Sequence, residues 1–150
     1  MTNAESIYKD FWKSFDEILL ENGEPFKILY KMSGKVKHWS TINRHHIWKP
    51  FMVCVGLSSR KKEMHIDLYI ENVNTTIGQM LIANKDNISS EISVPVQWTR
   101  GEKQPNTIRM KYPISFACCT YREAIEKALP IIMEFIEVAK KYGCAYFFDF

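Results

Sequence analysis

A chain of 150 residues has the length of one domain and can bury a core without help from disulfides or metals. Its net charge of +3 does not by itself indicate a polyanion partner, and no apolar run approaches the roughly 20 residues that a membrane-spanning helix requires. The first residues, MTNAESIYKDFW, lack the basic and apolar segments of a signal peptide, so we expect a cytoplasmic protein without a membrane partner.

The first half of the chain predicts a helix followed by a β-hairpin. Over residues 5–22, apolar side chains recur every three or four positions, which is typical of an amphipathic helix. Residues 26–48 have weak periodicity and predict an irregular or short-stranded segment. Residues 50–58 and 63–71 predict two strands joined by a linker of hairpin length. The second strand alternates, with one face predicted to be buried (Met64, Ile66, Leu68, Ile70) and the other polar (His65, Asp67, Tyr69, Glu71).

The second half predicts a helix, two strands and a final helix. Residues 75–90 are expected to be helical behind a cap at Asn74 or Thr75, and residues 93–100 and 106–112 are expected to be strands. The final helix is predicted to begin at Thr120, to kink at its internal proline and to end at a glycine. Thr120 and the glutamate three residues later form a capping box.

These elements together predict one α+β domain over residues 1–150. We expect a mostly antiparallel sheet of four or five strands that packs its apolar face against the N- and C-terminal helices. The tail after the final helix, CAYFFDF, is unusually apolar for a chain end and predicts docking on the body or on a second subunit. A homo-oligomer, most simply a homodimer, is therefore expected.

Several segments together resemble one family of bacterial and archaeal domains. They are the N-terminal YKDFW helix, the HW at 38–39, the hairpin FMVCVGLSSRKKEMHIDLYIEN, the strands VQWTRG and TIRMKY, and the long final helix. This order is similar to that of the DUF4268 family, whose function is unknown and which supplies no catalytic residues to transfer. Members often follow an endonuclease-like domain, so the resemblance implies a restriction-associated, host-defence or mobile-element setting.

Positive charge is segregated in one part of the chain. The stretch from Pro25 to Lys62 contains no Asp or Glu but nine Lys and Arg residues. Segregated positive charge attracts phosphate, and nucleic acid is the commonest source of phosphate arrays. We therefore predict a nucleic-acid surface on the hairpin and sheet, with seven phosphate contacts (Arg44, Lys49, Arg60, Lys61, Lys62, Arg100, Arg109) and two stacking residues (Trp48, Tyr69).

No motif in the chain has the specificity of a catalytic site. The sequence has no G-x-S-x-G, no Walker A and no G-x-G-x-x-G. A restriction-type nuclease needs an acid and a lysine on the strand after its first metal-binding acid, and Pro95–Arg100 contains neither. The chain is thus more simply a binding module than an enzyme.

Two alternatives to nucleic-acid binding stay open. One is a protein-interaction or oligomerisation domain that uses the apolar final helix and tail. The other is a small-ligand binder or enzyme with a pocket around His65, Asp67 and Glu71.

The sequence predicts neither a metal nor a cofactor. His65 and Asp67 share a strand face, but a metal site would require a third ligand such as His38. The four cysteines, Cys54, Cys118, Cys119 and Cys144, form no C-x-x-C pair and are predicted to be free buried thiols. The apolar surroundings of Cys118 and Cys119 favour burial over reactivity.

Overall fold

The structure, a computed structural model, describes residues 3–23, 28–29, 37–42 and 51–142. This part of the chain contains four helices and six strands. The predicted α+β fold is confirmed. In chain order the elements are α1 (Asn3–Asn22), β1 (Ile28–Leu29), β2 (Trp39–Ile42), β3 (Phe51–Ser58), β4 (Glu63–Ile70), α2 (Thr76–Ala83), α3 (Lys85–Ser90), β5 (Gln97–Arg100), β6 (Ile108–Ser115) and α4 (Tyr121–Tyr142).

The strands form one antiparallel sheet in the order β1-β2-β3-β4-β6-β5. The predicted hairpin is β3–β4, and the strands pair along their whole lengths. The sheet has one strand more than the four or five expected, because the two residues of β1 add a short edge strand. Strand β6 lies between β4 and β5, so β4 is covered by neighbours on both sides.

The alternation along β4 decides which face of the sheet is buried. Met64, Ile66, Leu68 and Ile70 are completely buried, as predicted. Each is registered with an apolar or aromatic residue on β3 and on β6, so a continuous apolar layer crosses the centre of the sheet. Burial of this layer is the main source of stability for the fold.

Helices α1 and α4 pack on this apolar face. Five large residues of α1 and ten apolar residues of α4 are buried, and they belong to the same core as the sheet layer. Trp12 in α1 also donates a hydrogen bond from its indole Nε1 to the carbonyl of Lys37, at 2.8 Å, which attaches the helix to the chain entering β2. The buried residues of α2 and α3 join this core as well. The opposite face, which we call the open face, is not covered by any helix among the described residues.

The helix predicted over residues 75–90 is divided in two. Thr75 caps α2, and its Oγ1 accepts a hydrogen bond from the backbone N–H of Gly78 at 3.0 Å. Asn84 ends α2 with φ −100° and ψ 11°, and its side-chain amide donates to the carbonyl of Met80 at 2.8 Å. An asparagine amide that bonds nearby backbone carbonyls offers the chain an alternative to helix continuation, which accounts for the division.

The strand predicted over residues 93–100 begins only at Gln97. The backbone N–H and the hydroxyl of Ser93 each donate to the carboxylate of Glu134 at 2.7 Å, which holds this part of the chain against α4. Pro95 has no N–H to donate to a strand ladder. These two features explain why the first half of the predicted strand is irregular.

The predicted capping box of the final helix is confirmed. Thr120 Oγ1 accepts from the backbone N–H of Glu123 at 3.1 Å, and Glu123 Oε1 accepts from the backbone N–H of Thr120 at 3.3 Å. Helix α4 is continuous through Pro130. The predicted stop at Gly143 and the apolar tail after it lie outside the described residues.

Burial of the thiols was predicted correctly for Cys54 but not for the adjacent pair. Cys118 is exposed and Cys119 is partly exposed, because they lie in the loop between β6 and α4, where Phe116 turns into the core and the following residues turn outward. The predicted burial of Cys144 falls outside the described residues.

Candidate functional site

The open face brings together polar and aromatic side chains from four strands. Strand alternation places every second residue of each strand there, and the antiparallel register aligns them in rows across the sheet. Three rows form its centre: Trp39–Gly56–His65, Cys54–Asp67–Lys111 and Met52–Tyr69–Arg109.

A cavity of about 400 Å³ opens between these rows. Its size lies within the range of ligand pockets in proteins. Most of the residues that line it come from β2, β3, β4 and β6, and two come from the chain just before β2 and from the loop before β6. The lining residues are His38, Trp39, Met52, Cys54, His65, Asp67, Tyr69, Gln104 and Arg109.

Asp67 forms the floor of the cavity and is only 2% exposed. A buried carboxylate requires partners, because transfer of an unpaired charge from water into the protein is costly. His65 Nδ1 lies 3.1 Å from Oδ1 and 3.0 Å from Oδ2, and since a carboxylate accepts hydrogen bonds, Nδ1 is the donor. Arg109 lies farther away, with a terminal nitrogen 3.5 Å from Oδ2.

Gly56 makes room for the His65 ring. A Cβ atom added at Gly56 would lie 2.5 Å from Cε1 and 2.6 Å from Nε2 of His65. No other residue type leaves this space, so a glycine in the middle of a strand is explained here by the close approach of a side chain. The position of His65, and through it the hydrogen bond to Asp67, depends on this glycine.

Arg109 forms one wall of the cavity, with its side chain 48% exposed. Its guanidinium carbon lies 5.1 Å from the centre of the Tyr69 ring, which is a cation–π arrangement. Burial raises the pKa of Tyr69, and the charge of Glu71 raises it further. The phenol is therefore neutral at physiological pH and can act as a hydrogen-bonding group but not as an anion.

Burial also perturbs the thiol and the second imidazole of the cavity. It raises the pKa of Cys54 strongly, and the charge of Asp67 adds to the effect, so this cysteine is an unreactive thiol at neutral pH. The pKa of His38 is lowered, first by burial and then by the positive charges of His65 and Arg109. His65 and Arg109 therefore both disfavour the protonated form of His38 within the same cavity.

The structure places the predicted phosphate-binding residues at separate ends of the sheet. Arg60, Lys61 and Lys62 are at the exposed tip of the β3–β4 hairpin. Arg109 lies opposite Tyr69 near the other end of β4, about 20 Å away at about 3.4 Å per residue.

The remaining predicted nucleic-acid contacts do not extend this surface within the described residues. Arg100, in β5 at the edge of the sheet, donates to the carbonyl of Pro105 at 2.6 Å. Three further predicted contacts lie outside the described residues: Arg44, Trp48 and Lys49. The nucleic-acid roles of all these residues stay predictions.

Two of the three residues proposed for a ligand pocket line the cavity. His65 and Asp67 do so, whereas Glu71 follows β4 outside the lining set. Glu71 Oε2 is buried without a hydrogen-bond partner among the described residues, and burial raises the pKa of this carboxyl.

Sequence reasoning did not identify the other walls of the cavity as site residues. Met52 and Cys54 share their strand face with Gly56, so strand alternation could have placed them together. The contribution of Trp39 depends on the pairing of β2 with β3, and that of Gln104 depends on the loop before β6. Neither leaves a signal in the local sequence.

Among the described residues no group of three or more His, Cys, Asp and Glu side chains is arranged to hold a metal ion. No described helix is long and apolar enough to cross a membrane.

Two solved structures have the fold of this chain. YbjN from E. coli, which is described as a proposed regulator of transcription, superposes with a TM-score of 0.55 at 9% identity, over 89% of this chain and 92% of that one. A chain of the HopA1–SchA chaperone–effector complex superposes with a TM-score of 0.50 at 10% identity, over 91% of this chain and 95% of that one. At such low identity the similarity shows the fold alone.

The sequence comparison identifies the family. No curated protein matches the sequence. The model of DUF4268, a domain of unknown function, matches residues 7–142. This range includes α1 from its second turn onward, the other three helices and all six strands of the sheet. The chain therefore belongs to the DUF4268 family, as its sequence pattern predicts.

Proposed function

We propose that this domain is a non-catalytic module that binds a protein partner through the open face of its sheet. The observation that carries the proposal is the cavity on that face, with exposed Trp39 and Arg109 in its walls. Trp39 is 42% exposed although tryptophan is usually well buried, and Trp and Arg are the residues that most often dominate the energy of protein interfaces.

The comparisons support a protein partner more than any other class. The fold of this chain occurs in a chain of a chaperone–effector complex, and such a complex consists of one protein bound to another. The open face also has the chemistry of an interface core, because aromatic and apolar walls surround a polar group that is already paired.

The binding surface in this proposal differs from the one that the sequence suggested. The apolar stripe of α4 packs into the core, where ten of its residues are buried, and it is not available to a partner. The tail, residues 144–150, lies outside the described residues, and a homo-oligomer formed through it stays a separate proposal.

Nucleic-acid binding is the second candidate. Three consecutive cations, Arg60, Lys61 and Lys62, stand at an exposed hairpin tip. Lys62 adopts φ 50°, and Ser58 Oγ accepts from the backbone N–H of Lys61 at 3.2 Å, so the turn is defined by local hydrogen bonding. This tip lies apart from the cavity with its aromatic residues. The cations of the tip therefore do not alternate with these aromatic residues, as they would on a surface that stacks the bases of single-stranded nucleic acid.

Site-specific photo-crosslinking tests the protein-binding proposal. A photoreactive phenylalanine analogue at exposed Gln104, on the rim of the cavity, is compared in native cells with the same group at exposed Lys127 on α4. We expect a defined cross-linked protein from Gln104 and none from Lys127, and loss of the product when Trp39→Ala is added. Equal products at both positions, or none at Gln104, would contradict the proposal.

Fluorescence anisotropy tests the second candidate with labelled single-stranded DNA, duplex DNA and RNA. If the hairpin tip binds phosphates, binding weakens steeply with salt and weakens again in the Arg60→Ala/Lys61→Ala/Lys62→Ala variant. A Lys13→Ala/Lys85→Ala/Lys127→Ala variant, which removes three charges at exposed helix positions, controls for the loss of positive charge. No binding at low salt would retire this candidate.

A further inference from the structure

We infer that the cavity of the open face recognises a carboxylate next to an apolar side chain, presented by an acidic, aromatic segment of a protein partner. This inference rests on the proposed function and specifies the chemistry of the partner. It follows from the pairing of Asp67, the position of Arg109 and the walls of the cavity.

The first step is that His65, and not Arg109, satisfies Asp67. The distances from His65 Nδ1 to both carboxylate oxygens, 3.1 and 3.0 Å, are within the normal range for a hydrogen bond. The 3.5 Å separation between Arg109 and Asp67 Oδ2 is beyond that range. Arg109 therefore forms an ion pair with Asp67 but no hydrogen bond, so its N–H donors are not used by this carboxylate.

The N–H donors of the Arg109 side chain are suited to a carboxylate. A guanidinium has five N–H donors in a planar fork that matches a carboxylate in two parallel hydrogen bonds. Here the guanidinium carbon lies 5.1 Å from the centre of the Tyr69 ring, and the side chain is about half exposed. A half-exposed arginine beside an aromatic ring is well suited to bind a carboxylate that arrives from outside.

The third step is the charge balance around the cavity. Lys111 is registered directly opposite Asp67, and the ammonium of Lys37 lies 5.0 Å from the centre of the Trp39 ring. With Arg109, these residues place three cations near two carboxylates: Asp67, in the cavity, and Glu71, whose charge acts on Tyr69. The surplus is positive, so the surface favours an anionic partner.

The apolar walls of the cavity favour a carboxylate attached to an apolar group over a small inorganic anion. Trp39, Met52 and Tyr69 provide aromatic and thioether walls, which a phosphate or sulfate would not contact favourably. Small-molecule sites usually bury most of their ligand, whereas Trp39 and Arg109 remain 42% and 48% exposed. A side chain on a larger partner fits this geometry, because the rest of the partner covers the rim.

The test uses peptides of defined chemistry with the whole chain. The probes are the peptide Gly-Phe-Asp-Phe-Asp-Gly with an acetylated N-terminus and an amidated C-terminus, its Asn counterpart with the same ends, and free phenylacetate. Each is titrated while the indole N–H signal of Trp39 and the guanidinium N–H signals of Arg109 are followed by NMR. We expect the Asp peptide to shift both signals and the Asn peptide to bind at least about tenfold more weakly. Equal affinity for the two peptides would overturn the inference, and phenylacetate binding as tightly as the Asp peptide would refute a protein source of the carboxylate.

Variants locate the binding. Arg109→Gln should remove the preference for Asp over Asn, whereas Lys127→Gln, an equal loss of charge at an exposed position of α4, should leave it unchanged. Trp39→Ala should weaken both peptides while leaving Asp67 and its partners in place. An unchanged preference in Arg109→Gln would overturn the inference, and thermal melts of each variant check that the fold is intact.

The outcome is distinguishable from failure of the proposed function. Cross-links at Gln104 together with no preference for the Asp peptide would refute the carboxylate chemistry and keep the binding face. Loss of both would refute the binding face itself.

Discussion

Replacement of Gly56 by alanine should destabilise the protein through His65. The new methyl group would lie 2.5–2.6 Å from two atoms of the His65 ring, a separation that real Cβ contacts do not show, so the imidazole must move. The nearest backbone atom, the carbonyl oxygen of His38, would be 3.4 Å away, which is an ordinary contact. The perturbation therefore falls on one side chain and on its hydrogen bond to Asp67.

The magnitude follows from that hydrogen bond. A hydrogen bond to a charged group contributes about 1.5–3 kcal/mol, and glycine-to-alanine substitution returns about 0.4–1 kcal/mol by restricting the unfolded chain. We expect Gly56→Ala to lower the free energy of unfolding by the difference between these terms, about 0.5–2.6 kcal/mol. For a chain of this length, that corresponds to a Tm lower by roughly 1–10 °C.

A double-mutant cycle isolates the contact. Urea denaturation followed by circular dichroism gives the free energy of unfolding for wild type, Gly56→Ala, His65→Ala and the double variant. In the His65→Ala background the methyl group meets no ring, so Gly56→Ala should be neutral or slightly stabilising, with a coupling energy of about 1.5–3 kcal/mol. Gly23→Ala is the control, because φ +62° makes it costly while nothing lies within 4 Å of its Cβ. Its effect should be the same in both backgrounds.

The reasoning would be refuted by a cost of Gly56→Ala that is equal with and without His65. That result would mean that the strain lies in the backbone of β3 or in its pairing with β2. The hydrogen bond between His65 and Asp67 would then have no special dependence on this glycine.

Three further predictions concern other parts of the chain. Glu71→Gln should stabilise the protein by up to about 1 kcal/mol at pH 7, because a buried, unpartnered carboxylate oxygen becomes part of a neutral group. Because burial raises the pKa of Glu71, the contribution of this carboxyl to stability is fully present below the ordinary value of 4.5 and is lost as pH rises through the raised value, so the gain in Glu71→Gln should vanish at low pH in urea titrations. A gain that does not change with pH would contradict this cause. Thr120→Ala should cost about 1 kcal/mol by removing the cap of α4, and an unchanged Tm would show that the capping box contributes nothing. Deletion of residues 144–150 should convert a dimer to a monomer in light scattering if the tail forms the predicted homodimer, and an unchanged mass would count against it.

Much of the fold was predictable because it depends on local patterns. The 3.6-residue periodicity of the terminal helices, the alternation along β4 and the capping box at Thr120 are properties of consecutive residues, and each appears in the structure where the sequence placed it. The errors are also local in cause. Asn84 divides a predicted helix through its side-chain hydrogen bond, and Pro95 together with Ser93 shortens a predicted strand.

The candidate site was only partly predictable. Alternation put His65, Asp67 and Tyr69 on one face of one strand, so the sequence alone placed together three of the nine residues that line the cavity. Arg109 was predicted as a phosphate contact on the second pair of strands, and the structure places it on β6, 3.5 Å from Asp67 and over the ring of Tyr69. That placement depends on β6 pairing with β4, which is separated from it by two helices and an edge strand.

The sequence by itself determined the α+β class, the family, the faces of the hairpin and the segregation of positive charge. These follow from the identity and spacing of residues that are close along the chain. Only the tertiary structure decided that Trp39, Gly56 and His65 form one row, and that His65 donates a hydrogen bond to Asp67 while Arg109 lies 3.5 Å from the same carboxylate. Register between strands that are distant in sequence is set by how all the side chains of the sheet pack together against the helices, and no local pattern encodes it.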